Sequence, residues 1–196
     1  MKYIHFFVAT VIALIVSVAH ASDDNCTYAQ SVLGVDGQRL QLIGAGVRTY
    51  WWKPINAVAL YAPQMSTSWD AIAGSNGEVR ADVVFFVERL SGEQLRASWK
   101  ERFDVLVERH QRAALDSSIN AFLDLFADAS RGDNLSFSST TGGLALSLNG
   151  VRLGQVGDLA FGRLVLSSWF GSRPASADLK AAVFAGRTVK RLPCGK

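Results

Sequence analysis

The stretch LIGAGVRTYWWKPINAVALY, residues 42–61, reads as two successive strand-like segments. Leu40 to Tyr50 and Trp51 to Tyr61 are rich in β-branched and aromatic residues, and Ala57 to Ala62 is a continuous apolar run. Gly44-Ala45-Gly46 lies inside the first strand, but no third glycine arrives at the required place and no helix opens there. It is not a dinucleotide-binding fingerprint.

Downstream of these segments, Ser66–Ala73 suits a short helix. Glu78–Arg89, centred on Val83, Val84, Phe85, Phe86 and Val87, suits a strong strand. Ser91 and Gln94 then form a capping box, a serine oxygen on one free backbone N–H and a glutamine reaching back to another. Leu95, Trp99, Phe103 and Leu106 recur at helical spacing, which predicts a helix to about His110. A second helix, capped by Asp116 or Ser117, carries Ile119, Phe122, Leu123 and Phe126 as its apolar stripe and ends at Arg131-Gly132-Asp133.

Apolar residues then alternate with small or polar ones, at Leu135 and Phe137 and at Leu144, Leu146 and Leu148. Asn149-Gly150 is a type I′ hairpin signal, and Val151 and Leu153 continue the alternation beyond it. Asp158 caps a helix to Phe170 that Gly171 closes, and Pro174 and Ser176 open a last short helix that Gly186 stops. Strands, helices, a hairpin and more helices predict an α+β fold: a large antiparallel sheet with helices on one face.

The first residues, MKYIHFFVATVIALIVSVAHAS, have the order of a secretory signal peptide: Lys2, an apolar stretch from Ile4 to Val18, then Ala19-His20-Ala21 as a cleavage site. This predicts a signal peptide over residues 1–21, one domain over 22–196 and a periplasmic or secreted location. An uncleaved N-terminal anchor is the other reading. No later segment is long and apolar enough to span a bilayer. Removal of Lys2 leaves 19 basic against 17 acidic residues, a net charge of +2 with no dense basic run. Nucleic-acid binding gets no support from that balance.

Cys26 and Cys194 stand at opposite ends of the mature chain. In an exported protein a disulfide is expected, contributing about 5 kcal/mol in the chain-entropy account. Two free thiols are the alternative. With two cysteines and one histidine, His110, left after cleavage, a His/Cys metal centre is excluded, and no cofactor motif is present. A P-loop and a nucleophile elbow are also absent, and His110 reads as a surface histidine.

Four stretches in this order carry a resemblance: LIGAGVRTYWWKPINAVALY, SGEQLRASWKERF (91–103), LNGVRLGQVGDLAF (148–161) and SSWFGSRPASADLK (167–180). Together they resemble the chalcone isomerase-like family, and most closely its bacterial exported branch. The resemblance implies an open-faced β-sandwich with a ligand cleft between sheet and helices. Plant members close a chalcone to a flavanone; fatty-acid-binding members hold a carboxylate and an acyl chain in the same cleft.

The family's essential arginine lies in a GAGVR sequence, and Arg48 stands there. The true isomerases carry a tyrosine and an asparagine seven residues apart on the first long helix, where this chain has Leu95 and Arg102. Their second-strand threonine aligns with Asn56, and Ser168 falls on a serine or threonine position. Seven residues are two helical turns, so if Leu95 faces the cleft Arg102 does too. Two adjacent cations would favour an anion between them. The other reading has Arg102 on the rim, paired with Glu101 or Asp104.

The sequence therefore points to a non-catalytic or weakly catalytic binder of a small, partly apolar anion, a fatty or aromatic acid. Arg48 is the anchor, and Leu95, Trp99 and Phe103 are apolar candidates that also read as ordinary core. An intramolecular lyase of chalcone type using Arg48, and an envelope protein whose cleft is filled by its own side chains, are the alternatives. Oligomeric state stays open.

Overall fold

The computed structural model describes residues 26–193. The expected signal peptide and Cys194 lie outside the described residues. Seven strands form one antiparallel sheet: β1 (Ser31–Leu33), β2 (Arg39–Tyr50), β3 (Lys53–Ala62), β4 (Val79–Phe85), β7 (Asn134–Thr140), β8 (Gly143–Leu148) and β9 (Val151–Val156), in that spatial order. A two-stranded ladder, β5 (Arg89–Leu90) with β6 (Ala129–Ser130), stands apart. The helices are α1 (Trp69–Ala73), α2 (Gly92–Leu106), α3 (Arg112–Asp124), α4 (Leu159–Phe170) and α5 (Ala177–Phe184). This is the α+β, open-faced arrangement expected.

Local chemistry accounts for most boundaries. Ser91 accepts from Gln94 N–H at 3.1 Å, and the Gln94 side chain accepts from Ser91 N–H at 2.9 Å, the capping box that opens α2. Asp158 and Ser176 cap α4 and α5 with single bonds, accepting from the N–H of Phe161 and Leu179. Asn149 and Gly150 sit at φ 51° and 80°, as a type I′ turn requires, and join β8 to β9 with Leu148 facing Val151.

Three expectations are corrected. First, α2 ends at Leu106, and His110 lies in a separate 3₁₀ turn, Arg109–Gln111. Second, α3 begins at Arg112, because it grows directly out of that turn, and ends at Asp124 rather than at Arg131-Gly132-Asp133, with Ala129–Ser130 in β6; Gln111 precedes it and makes no side-chain cap, and Asp116 and Ser117 are interior. Third, the Glu78–Arg89 strand divides. Val79–Phe85 stays in the sheet, and the chain then leaves it so that Arg89 and Leu90 pair with Ser130 and Ala129.

The Gly-Ala-Gly of β2 has a packing cause. A Cβ on Gly44 would stand 2.1 Å from Val183 O, and one on Gly46 would stand 2.8 Å from Leu179 O. Those two bare positions let the α5 backbone rest on the strand.

The main core lies between the sheet and its helices. Trp99 of α2 packs against Phe103, Phe122, Phe126, Phe137 and Trp169, with ring centroids 4.9–6.3 Å apart. The opposite face is covered over β2–β4 by a smaller cluster that includes Tyr28, Leu40, Tyr61 and Leu192, so both ends of the described chain cross it. There Cys26 N–H donates to Leu192 O at 3.3 Å and Leu192 N–H donates to Cys26 O at 2.8 Å.

Candidate functional site

The bulge in the β2–β3 hairpin sets the position of the first site residues. Arg48 faces Asn56, but the next rung joins Thr49 to Pro54, so Ile55 is the extra residue. Arg48 and Asn56 are thus direct cross-strand neighbours, and Asn56 in turn faces Phe85. That face of β3 and β4 also carries Val58 and Val83, beneath α2 and α4.

Between sheet and helices lies a cavity of about 460 Å³. Its sheet wall includes Arg48, Ile55, Asn56, Val83, Phe85, Leu135 and Phe137. From α2 come Gln94, Leu95, Ser98, Trp99, Glu101, Arg102 and Val105; from α4 come Ser168 and Trp169. All six residues singled out from the sequence, Arg48, Asn56, Leu95, Trp99, Arg102 and Ser168, border this one space. Phe103 does not; it is fully enclosed in the core.

The two arginines differ in how they are held. Arg102 pairs with neither Glu101 nor Asp104. Asp104 is instead bound by Arg112 at 2.8 Å. The Arg102 Nη2 donates to Ser168 O at 3.1 Å and to Arg173 O, both just beyond or within the C-terminal turn of α4. Its pKa is lowered, first by burial and then by the positive charges of Arg173 and Arg48. Arg48 lies close enough for repulsion to be felt, and it has no hydrogen bond or ion pair among the described residues.

Three of the seven unpaired buried polar atoms among the described residues lie here. Asn56 Oδ1, Arg102 Nε and Ser168 Oγ are each buried without a hydrogen-bond partner. Ser168 is 2% exposed, so bulk solvent does not explain it. Buried polar atoms left unpaired are uncommon, and each costs about 1–3 kcal/mol. A carboxylate between Arg48, Arg102 and the Ser168 hydroxyl would meet donors on several sides, with an apolar wall of Leu95, Phe85, Trp99 and Leu135 for the remainder of a molecule.

Sequence reasoning missed Gln94, Ser98, Glu101 and Val105. They follow one another at helical spacing along α2, but three polar residues in a stripe read as a solvated face. Their signal is present only once Leu95 and Arg102 are known to face inward. Among the described residues, no group of three or more His, Cys, Asp or Glu could hold a metal ion. No helix among them is long and apolar enough to cross a membrane.

Comparison with known proteins decides the family. The chalcone isomerase-like family model matches residues 25–185. The chain belongs to that family. The crystal structure of an Arabidopsis thaliana fatty-acid binding protein superposes on this chalcone isomerase-like chain with a TM-score of 0.59 at 15% identity, covering 79% of this chain and 95% of the other. That likeness is one of fold. No curated protein matches the chain.

Proposed function

We propose that this protein binds a small amphipathic anion, a fatty or aromatic carboxylic acid, in the cavity between sheet and helices, with Arg48 as its anchor. One observation carries the reading. A cation without a partner, a second cation repelled by it, and two unpaired buried donors, Arg102 Nε and Ser168 Oγ, all border one largely apolar space. Such a site recovers electrostatic free energy when an anion enters and apolar burial free energy from the rest of the ligand. The volume falls in the range of small-molecule pockets, roughly 300–1,000 Å³. The fatty-acid binding protein that shares the fold supports the same class of occupant.

Leu95 and Arg102 replace the hydroxyl and amide that the resemblance assigns to ring closure, so binding rather than turnover is the expected activity. A 2′-hydroxychalcone incubated with the protein should cyclise at its spontaneous rate. Acceleration abolished by Arg48→Ala would make the protein an isomerase instead. The N-terminal pattern supports export to the periplasm or beyond, on the bacterial branch of the family. The juxtaposition of Cys26 with Leu192, two residues before Cys194, supports a Cys26–Cys194 bridge.

The binding experiment compares a long-chain fatty acid with the alcohol of equal length by isothermal titration. The acid should bind ~10-fold or more tightly than the alcohol, and Arg48→Ala should erase the difference. Equal binding of both, unchanged in Arg48→Ala and Arg102→Ala, overturns the reading.

A further inference from the structure

Tyr50, Trp51 and Trp52 form the tip of the β2–β3 hairpin and are 63%, 76% and 75% exposed. The other exposed large apolar side chains among the described residues are scattered; only here are three consecutive. The two indoles touch edge to face, with centroids 5.6 Å apart.

This tip is made against the preference of its own turn. Tyr50 pairs with Lys53, so Trp51-Trp52 is a two-residue loop, and Trp51 is held at φ 57°. Two-residue hairpin loops with a left-handed first residue favour glycine, asparagine or aspartate there. The same sheet shows the favoured solution at Asn149-Gly150. A bulky residue in the left-handed region is a strained choice, and strain retained at a surface points to use.

We infer that the tip is a lipid-surface anchor, and that it docks the protein on a bilayer bearing anionic head groups. Tryptophan and tyrosine settle at the boundary between head groups and acyl chains, because each joins an apolar ring to a polar N–H or O–H. Lysine and arginine beside them reach the phosphates. Here Lys53 faces Tyr50 across the turn. Lys53 has no ion pair among the described residues, whereas Arg89 and Arg131 are matched to Asp128 and Glu88. A protein partner fits less well. Three aromatic side chains bury about 450–750 Å², short of the roughly 800 Å² per partner of a stable interface, and the residues flanking them are Thr49, Lys53 and Pro54. Docking in this orientation would turn the Arg48 end of the cavity toward the lipid. The anchor stands on the tip alone and does not require the cavity reading.

The test is flotation of the mature chain, residues 22–196, with phosphatidylcholine vesicles, with and without phosphatidylglycerol, beside a Trp51→Gly/Trp52→Ser variant whose turn should form at least as well. The parent should float with the anionic vesicles and shift its tryptophan emission to the blue. The variant should lose about tenfold in vesicle affinity while keeping its melting temperature and its fatty-acid binding. Absence of flotation by the parent, or equal flotation of both proteins, overturns the anchor. So does concentration-dependent dimerisation that the variant abolishes without any vesicle binding, since the tip would then join two copies. Fatty-acid titration of the same variant reports separately on the cavity.

Discussion

The two ends of α4 place guanidinium groups against the sheet in opposite ways. Near its start, Arg163 is buried and held by backbone through both terminal nitrogens, its Nε left unpaired: it donates to Ser139 O at 3.2 Å, Ser75 O at 3.2 Å and Gly77 O at 2.6 Å. Burial without a carboxylate lowers its pKa to about 10. Beyond its other end, Arg102 leans on two carbonyls and Arg48 leans on nothing. The first arrangement ties α4 to β7 and to the turn after α1. The second leaves charge unmatched beside a cavity. A cation at the sheet is thus a brace where carbonyls hold it, and a candidate for a ligand where, like Arg48, it has no partner among the described residues.

Arg163→Leu is the largest test of that contrast. It would leave three carbonyls short of a donor and should cost about 3 kcal/mol, a fall of about 9 °C in thermal midpoint, with fatty-acid affinity unchanged in the folded protein. Unaltered stability would mean that the brace is no brace. Arg48→Ala should do the reverse: a ~30-fold loss of carboxylate affinity, with stability within about 0.5 kcal/mol of the parent by urea titration. Arg102→Leu should fall between, losing about 1 kcal/mol of stability through Ser168 O and Arg173 O and ~5-fold in affinity. If it costs affinity alone, the two carbonyl contacts carry no weight.

The smallest effect concerns an anion on the opposite face. Glu78 is buried, its carboxylate accepts from Val35 N–H at 2.8 Å, and burial raises its pKa. A carboxyl with a raised folded-state pKa holds its proton more tightly folded than unfolded. Stability through this group therefore falls as pH rises from the ordinary carboxyl value through the raised one. Glu78→Gln should remove that slope and stabilise the protein by about 0.5–1 kcal/mol at pH 7, measured by urea titration across pH 4–7. A pH slope identical to the parent's would show that Glu78 ionises at no cost.

How much of this was legible beforehand depended on whether the cause is local. Ser91 with Gln94, Asp158, Ser176 and Asn149-Gly150 satisfy nearby backbone groups or set nearby torsions, and each was readable where it stands. The start of α3 was not, because Gln111 makes no cap and the helix inherits its direction from the preceding turn. β1, β5 and β6 are two or three residues long and owe their existence to partners far along the chain. The use of Gly44 and Gly46 also depended on a distant element, α5. At the cavity, the seven-residue interval linked Leu95 to Arg102, but Arg48, Asn56 and Ser168 entered through family resemblance. Ser98 and Glu101 stayed hidden because polarity on a helix looks the same toward water and toward a cavity. Arg163 was missed for a related reason: nothing within one helix announces that carbonyls from two other segments converge on it.

The bridge between Cys26 and Leu192 gives the molecule the topology of an almost closed ring. A linker of a few residues joining the chain after Cys194 to the chain before Cys26 should complete that ring, and the exposed Asn149-Gly150 loop then becomes a place to open it. Such a permutant would retain every strand pairing of the sheet while moving both termini to the far side of β8 and β9. It would also leave the original ends free of any fusion partner.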